Sequence, residues 1–248
     1  MADHPARTEE FLIKSYDVDL TGALKLQSLF NYLQEIAGNH ATELGVGFDE
    51  LNTRGLFWVL SRIKIIIDRM PSWRERVSLT TWPKGVDKLF ALRDFRLIDA
   101  QRNTLLKATT AWLLLDRERN RPQRIDVLPI DIHRYHVEHA IAEPLGKLKP
   151  EIDLTLRHEK KILISDLDVN NHVNNAEYIR WIVDCFDFNR LHRGTIQSIQ
   201  VNYLDEALFD DTIVLSMADE NGKGESYYIE GISRTSGAKV VQASIRWR

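Results

Sequence analysis

At 248 residues, with 44% hydrophobic and 28% charged residues, the chain has the composition of an ordinary globular protein, long enough for one large domain or two small ones. A formal net charge of -3 gives no overall attraction to nucleic acid, and the longest apolar runs, such as AWLLL at 111–115, are too short to span a bilayer. The single cysteine, Cys185, excludes an intramolecular disulfide and fits a reducing compartment.

The opening MADHPARTEEF has no apolar core and no small-residue cleavage pattern, so no signal peptide is read. Phe11 to Leu24 reads as a short strand and turn. Leu26, Leu29, Phe30, Leu33, Ile36, Ala37 and Ala41 then recur at helical spacing and predict a helix of about five turns with one apolar stripe. Four strands follow, at Leu56–Asp68, Arg76–Trp82, Lys88–Ile98 and Thr104–Asp116, separated by Pro71, Pro83 and the polar turn DAQRN. From Arg117 to Leu154 the periodicity lapses, apart from a short amphipathic piece around Ile130 to Ile141, and this stretch reads as a linker.

Beyond it the same order returns. An extended run at Ile162–Ser165 leads to a polar motif, then a helix with Ile179, Ile182, Val183 and Phe186 on one face. Strands near Ile196–Tyr203, Thr212–Met217, Glu225–Ser233 and Lys239–Trp247 complete the pattern. DVDLTGAL at 17–24 echoes DLDVNNHV at 166–173, and RIKIIIDRMPSWRERVSL at 62–79 runs ungapped against SIQVNYLDEALFDDTIVL at 198–215. The chain is two copies of one unit, an α+β fold in which each antiparallel sheet curls around its helix. The expected division is 1–116, a linker over 117–154, and 155–248.

The motif SDLDVNNHVNNAEY at 165–178 alternates polar and apolar residues up to His172, and Asn174 with Glu177 reads as a capping box opening a helix. Asn170 and His172 therefore stand at a helix mouth, where free N–H groups favour developing negative charge. The spacing of Asp166, Asp168, Asn170 and Glu177 also matches an EF-hand calcium loop. Asn171 in place of the glycine, and a strand where the entering helix should be, oppose that reading. Where the second copy has Asn170, His172 and Glu206, the first has Thr21, Ala23 and Met70. The copies keep the backbone signal and differ in the reactive groups, so the second copy is read as the chemical one. A papain-like role for Cys185 is disfavoured, because it lies well inside the helix with Asp184 and Asp187 beside it. Phe57 and Trp58 are core residues or the lining of an acyl pocket.

DLDVNNHVNNAEYIRW followed by NYLDEA at 202–207 resembles the acyl-acyl carrier protein thioesterases, whose motif runs D-x-N-x-H-V-N-N-x-x-Y before a strand-borne Glu. RGLFWVLSRIKIIIDRMPSWRERVSLTTWP at 54–83 resembles the first domain of the same family. The resemblance implies a tandem hotdog fold, release of free fatty acid from acyl carrier protein (ACP), and catalytic roles for Asp168, Asn170, His172 and Glu206. It also implies no cofactor and no metal. Glu206 is assigned as general base, with Asp168 as its rival or coupled partner. The first copy is expected to house the acyl chain, with Leu29, Leu33, Phe57 and Trp58 as binding residues. Many plant members carry Cys after the Glu; here it is Ala207, so a thiol nucleophile at that position is unavailable. The plant transit and anchor stretches are also missing, which points to a bacterial-type cytoplasmic protein without a membrane span. An acyl-CoA thioesterase, a non-enzymatic acyl-binding or sensing protein, and a homodimer stay open.

Overall fold

The strands of the first half follow the alternation of the sequence. In β2 (Leu56–Ile67), Leu60, Ile63, Ile65 and Ile67 are buried, and β5 (Thr104–Asp116) has the limits read from its residues. β1 (Arg7–Leu12), β3 (Arg76–Asp87) and β4 (Phe90–Asp99) complete an antiparallel sheet in the order β1-β3-β4-β5-β2, and β6 (Arg121–Gln123) pairs with β5. The computed structural model describes residues 6–130, 138–151 and 153–248.

β3 continues through Pro83, where the sequence suggests a stop. The register shifts between Pro83 and Gly85, and Gly85 takes φ 135°, so a bulge absorbs the missing N–H and the strand resumes. The helix α1 (Leu26–Glu43) buries Leu29, Leu33, Ile36 and Ala37 along one stripe. The short helix α2 (Phe48–Asn52) follows.

By its contacts the chain divides into two compact units, Met1–Leu24 with Asn31–Leu145, and Lys25–Phe30 with Gly146–Arg248. Much of the stretch read as a linker thus belongs to the first unit. Ile125 and Leu128 are buried in a cluster with Leu44, Val46, Leu51, Ala91 and Leu114. Farther on, Trp82 Nε1 donates to the Glu138 carbonyl (3.0 Å), Ala140 N–H to Asp94 Oδ2 (2.7 Å), and Arg62 to the Leu145 carbonyl (2.9 Å). Apolar side chains embedded in a polar-looking stretch explain the difference: burying them is worth more than leaving the segment free. Most of the amphipathic piece expected around Ile130 to Ile141 lies outside the described residues.

In the second unit β7 (Thr155–Lys161), β8 (Ile196–Tyr203), β9 (Thr212–Asp219), β10 (Ser226–Ser233) and β11 (Lys239–Trp247) form an antiparallel sheet in the order β8-β11-β10-β9-β7. The helix α3 (Asn175–Val183) buries Tyr178, Ile179, Trp181 and Ile182 but is half the length of α1. It stops at Asp184, and after Asp187, whose side chain accepts from Arg190 N–H, the short helix α4 (Phe188–Arg193) begins. No described helix is long and apolar enough to cross a membrane.

Candidate active site

Backbone and carboxylate shape the motif loop before any reactive group is placed. Asp168 N–H donates to the His172 carbonyl (2.8 Å), and Asn171 N–H to the Asp168 carbonyl (3.0 Å). Asp168 Oδ1 accepts from the backbone N–H groups of Asn170 (2.8 Å) and His172 (3.4 Å). Asn171 takes φ 62°, a left-handed conformation that asparagine tolerates. The carboxylate of Asp168 is therefore turned onto its own loop, as short polar side chains do in turns.

The first unit builds the same loop. Asp19 N–H donates to the Ala23 carbonyl (2.8 Å), Gly22 N–H donates to the Asp19 carbonyl (3.1 Å), and Asp19 Oδ1 accepts from Thr21 N–H (2.8 Å) and Ala23 N–H (3.2 Å). Gly22, at φ 81°, stands where Asn171 does. Each loop is then pinned to the segment after the unit's second strand, Leu24 N–H to the Pro71 carbonyl (2.8 Å) and Val173 N–H to the Ala207 carbonyl (3.3 Å).

On this shared scaffold the side chains diverge. His172 Nε2 lies 3.3 Å from Glu206 Oε2, and the two side chains are 34% and 41% exposed, so both are open to solvent. The matching positions in the first unit, Ala23 and Met70, carry no reactive group. Glu206 stands in the turn beyond β8 and not on a strand, as its resemblance implied. The ladder ends at Tyr203, Leu204 N–H and Asp205 N–H both reach the Val240 carbonyl, and Asp205 Oδ1 accepts from Glu206 N–H (2.9 Å).

Asn174 caps α3, its Oδ1 accepting from Ala176 N–H (2.9 Å). The expected capping box is only half made. Glu177 does not reach back; its Oε1 accepts from Gln27 Nε2 (2.7 Å) and its Oε2 from Arg180 Nε (2.8 Å). Arg180 also donates to Asp166 Oδ1 (2.8 Å), while Asp166 Oδ2 accepts from Leu163 N–H (2.8 Å) and lies 3.3 Å from Lys160 Nζ. These contacts argue against the calcium reading, because the carboxylates at the first and last positions of that loop already serve protein cations and amides, and β7 precedes the loop where an EF-hand has a helix.

Sequence reasoning did not single out Arg180, Gln27 or Tyr203. The i, i+3 spacing of Glu177 and Arg180 is a visible signal for the first. Tyr203 donates to the Asn175 carbonyl (3.0 Å), steadying the first turn of α3, and burial pushes its phenol far up, as it does that of Tyr178. Cys185 is buried, bonds the Trp181 carbonyl (3.4 Å), and has its thiol pushed up to about 12, chiefly by burial and secondarily by Asp184. Such a thiol is no nucleophile at neutral pH.

Leu29 and Leu33 are fully buried on α1. Trp58 packs on the first unit's cluster and donates to the Val46 carbonyl (3.0 Å), whereas Phe57 lies under Arg117 (5.0 Å). As neighbours on one strand, Phe57 and Trp58 face opposite ways.

Family models match both parts of the chain, the acyl-ACP thioesterase N-terminal domain over residues 6–129 and the C-terminal domain over residues 150–248. The chain is similar to a chloroplastic palmitoyl-acyl carrier protein thioesterase of Gossypium hirsutum, 29% identical over 97% of this chain and 63% of that one. It spans about three-fifths of the length of such curated relatives. Among solved structures it resembles an acyl-ACP thioesterase from Bacteroides thetaiotaomicron, with 27% identity, a TM-score of 0.85, and 98% of each chain covered. It shares the fold of a 12:0-ACP thioesterase from Umbellularia californica at a TM-score of 0.87 and 24% identity, over 100% of this chain and 99% of that one.

Proposed function

Because the chain belongs to the acyl-ACP thioesterase family, we propose that it hydrolyses the thioester of acyl-ACP, releasing free fatty acid and the carrier thiol in cytoplasmic fatty acid biosynthesis. One observation carries the reading: both units build the same loop, and only one furnishes it with an imidazole and a carboxylate 3.3 Å apart. A loop kept for shape alone has no use for that difference.

Hydrolysis requires a positioned water, a base for its proton, and donors for the carbonyl oxygen as it becomes an oxyanion. Glu206 is the base. Water oxygen attacks the thioester carbon, a water proton passes to Glu206, and the carbonyl electrons move onto oxygen. His172, against Glu206, orients that carboxylate, and Asn170 orients the water or the thioester. A backbone N–H at the mouth of α3 helps to polarise the carbonyl. Collapse of the tetrahedral intermediate breaks the C–S bond, and the proton held at Glu206 returns to sulfur, giving acid and thiol.

Asp168 is assigned a different task. Its Oδ1 accepts from two loop amides, as that of Asp19 does in the copy without chemistry. This parallel favours Glu206 over Asp168 as the base.

The test is release of free thiol from acyl-ACP and from matched acyl-CoA over a graded series of chain lengths, for the wild type and H172A. Chain-length-dependent release from acyl-ACP, slowed about a hundredfold in H172A but still measurable, is the expected result. Binding of acyl-ACP without thiol release at any length would make the protein an acyl-binding one.

A further inference from the structure

Beneath the loop that carries His172 lies an ionic network that the reaction steps above do not use. Asp166 is 1% exposed and fully engaged, with Arg180 on one oxygen and Leu163 N–H and Lys160 on the other. Its carbonyl accepts from Asn174 N–H (2.9 Å), so one residue ties the end of β7 to the cap of α3, two positions past His172. Arg180 bridges Asp166 to Glu177, and Glu177 in turn holds Gln27. Gln27 lies in Lys25–Phe30, the turn of α1 that groups with the second unit.

The first unit shows what the loop needs for folding alone. Asp17 stands where Asp166 does and is also buried, but its Oδ2 accepts from the neutral Tyr32 hydroxyl (2.7 Å), and Tyr32 stacks on Phe11 (4.6 Å). At the repeat spacing, Phe11, Ser28 and Asn31 correspond to Lys160, Glu177 and Arg180. The loop without chemistry is thus held by a hydroxyl and a stacked ring pair, and the loop with chemistry by two cations and two carboxylates. Buried charge is expensive unless it is fully paired, so it is a poor choice where a neutral clamp folds the same loop. What a forked guanidinium adds is geometry, because it fixes two carboxylates at set angles.

We propose that Arg180, acting with Glu177 and Gln27, is a positioning residue that sets the motif loop on α3 so that His172 meets Glu206. The inference rests on the proposed roles of His172 and Glu206. Misplacement of reacting groups by about 1 Å costs up to about a hundredfold in rate. R180Q should therefore lower kcat roughly ten- to hundredfold while KM for acyl-ACP moves by less than about threefold. R180K, which can serve only one carboxylate well, should fall between R180Q and the wild type. Q27L should lower kcat in the same direction and by less.

The deciding experiment is a double-mutant cycle on kcat with R180Q introduced into the wild type and into H172A. If Arg180 acts by placing His172, its loss should matter much less once His172 is gone. An equal factor in both backgrounds overturns the inference, and so does a change in which KM rises as kcat stays put. A fall of about a hundredfold in H172A with wild-type turnover in R180Q overturns this inference and leaves the site reading intact. Wild-type turnover in H172A overturns both.

Discussion

Asp19 and Asp168 hold their loops with the same oxygen: in each, Oδ1 accepts from the backbone N–H groups two and four residues on. The copy that carries no His–Glu pair keeps this brace, so the brace belongs to the fold, and the pair is what we propose for the chemistry. D19A and D168A should therefore cost similar stability, about 0.5–1.5 kcal/mol each, since water can take the freed amides. Urea melts of the two variants check this, and a large cost confined to D168A would break the parallel.

The buried thiol gives a second prediction. Burial pushes Cys185 up to about 12, so in the folded protein it stays protonated as pH rises from neutrality through the ordinary thiol range near 8.5. Raising pH from about 7 to about 9 should speed labelling by a thiol reagent in denatured protein but hardly at all in native protein. C185A should keep near-wild-type turnover; an inactive but folded C185A would reopen a thiol mechanism.

We propose that the first unit sets acyl-chain length, with Leu29, Leu33 and the neighbours of Trp58 as the residues to change. Overpacking a buried site costs typically about 1–3 kcal/mol, which a stable domain tolerates. L33F and small-to-large changes at Leu29 or beside Trp58 should shift the preferred acyl length and leave thioester cleavage intact. Loss of turnover at every length in folded variants would remove that assignment.

We propose that carrier docking uses the basic run Arg117, Arg119, Arg121 and Arg124 of the β5–β6 hairpin and the turn after it, with Lys147, Lys149, Lys160 and Lys161 as the other basic candidates. Arg124 pairs with Asp126 at the surface (3.0 Å), and Arg117 lies over Phe57, so part of this charge is already used. ACP is acidic, and steering by surface charge weakens with salt. R121E/R124E should raise KM for acyl-ACP much more than for acyl-CoA, with the gap closing as salt increases. Equal effects on both substrates would place docking elsewhere.

The repeat, strands β2 to β5 and β8 to β11, and the loop at Asp168–His172 are legible in the sequence, because period-two alternation and turn residues are local signals; β1, β6 and β7 fall in stretches that read as a polar lead, a linker and the approach to an extended run. β5 and β11 have the limits their residues imply. Pro83 misled, because a bulge at Gly85 let β3 pass a residue that locally reads as a stop. The stretch after Arg117 misled for the opposite reason: a few buried side chains, Ile125 and Leu128 among them, bind a polar segment into the first unit. Glu206 was found through the repeat, but its place in a turn was not, because the end of a ladder depends on its partner strand. The Gln27–Glu177–Arg180–Asp166 network was illegible, since its members are separated by as many as 150 positions and carry no periodic signal.

The central claim is that Glu206, and not Asp168, takes the proton from water. Glu206→Gln keeps shape and hydrogen bonding but cannot accept that proton, whereas Asp168→Asn retains the oxygen that accepts from the loop amides. Single-turnover hydrolysis of one acyl-ACP by E206Q and D168N, with binding measured in parallel, compares them directly. The predicted result is a fall of about a hundredfold or more in E206Q with binding preserved, and a fall of less than about tenfold in D168N. A folded D168N that loses turnover while E206Q keeps it would contradict the account and move the base to Asp168.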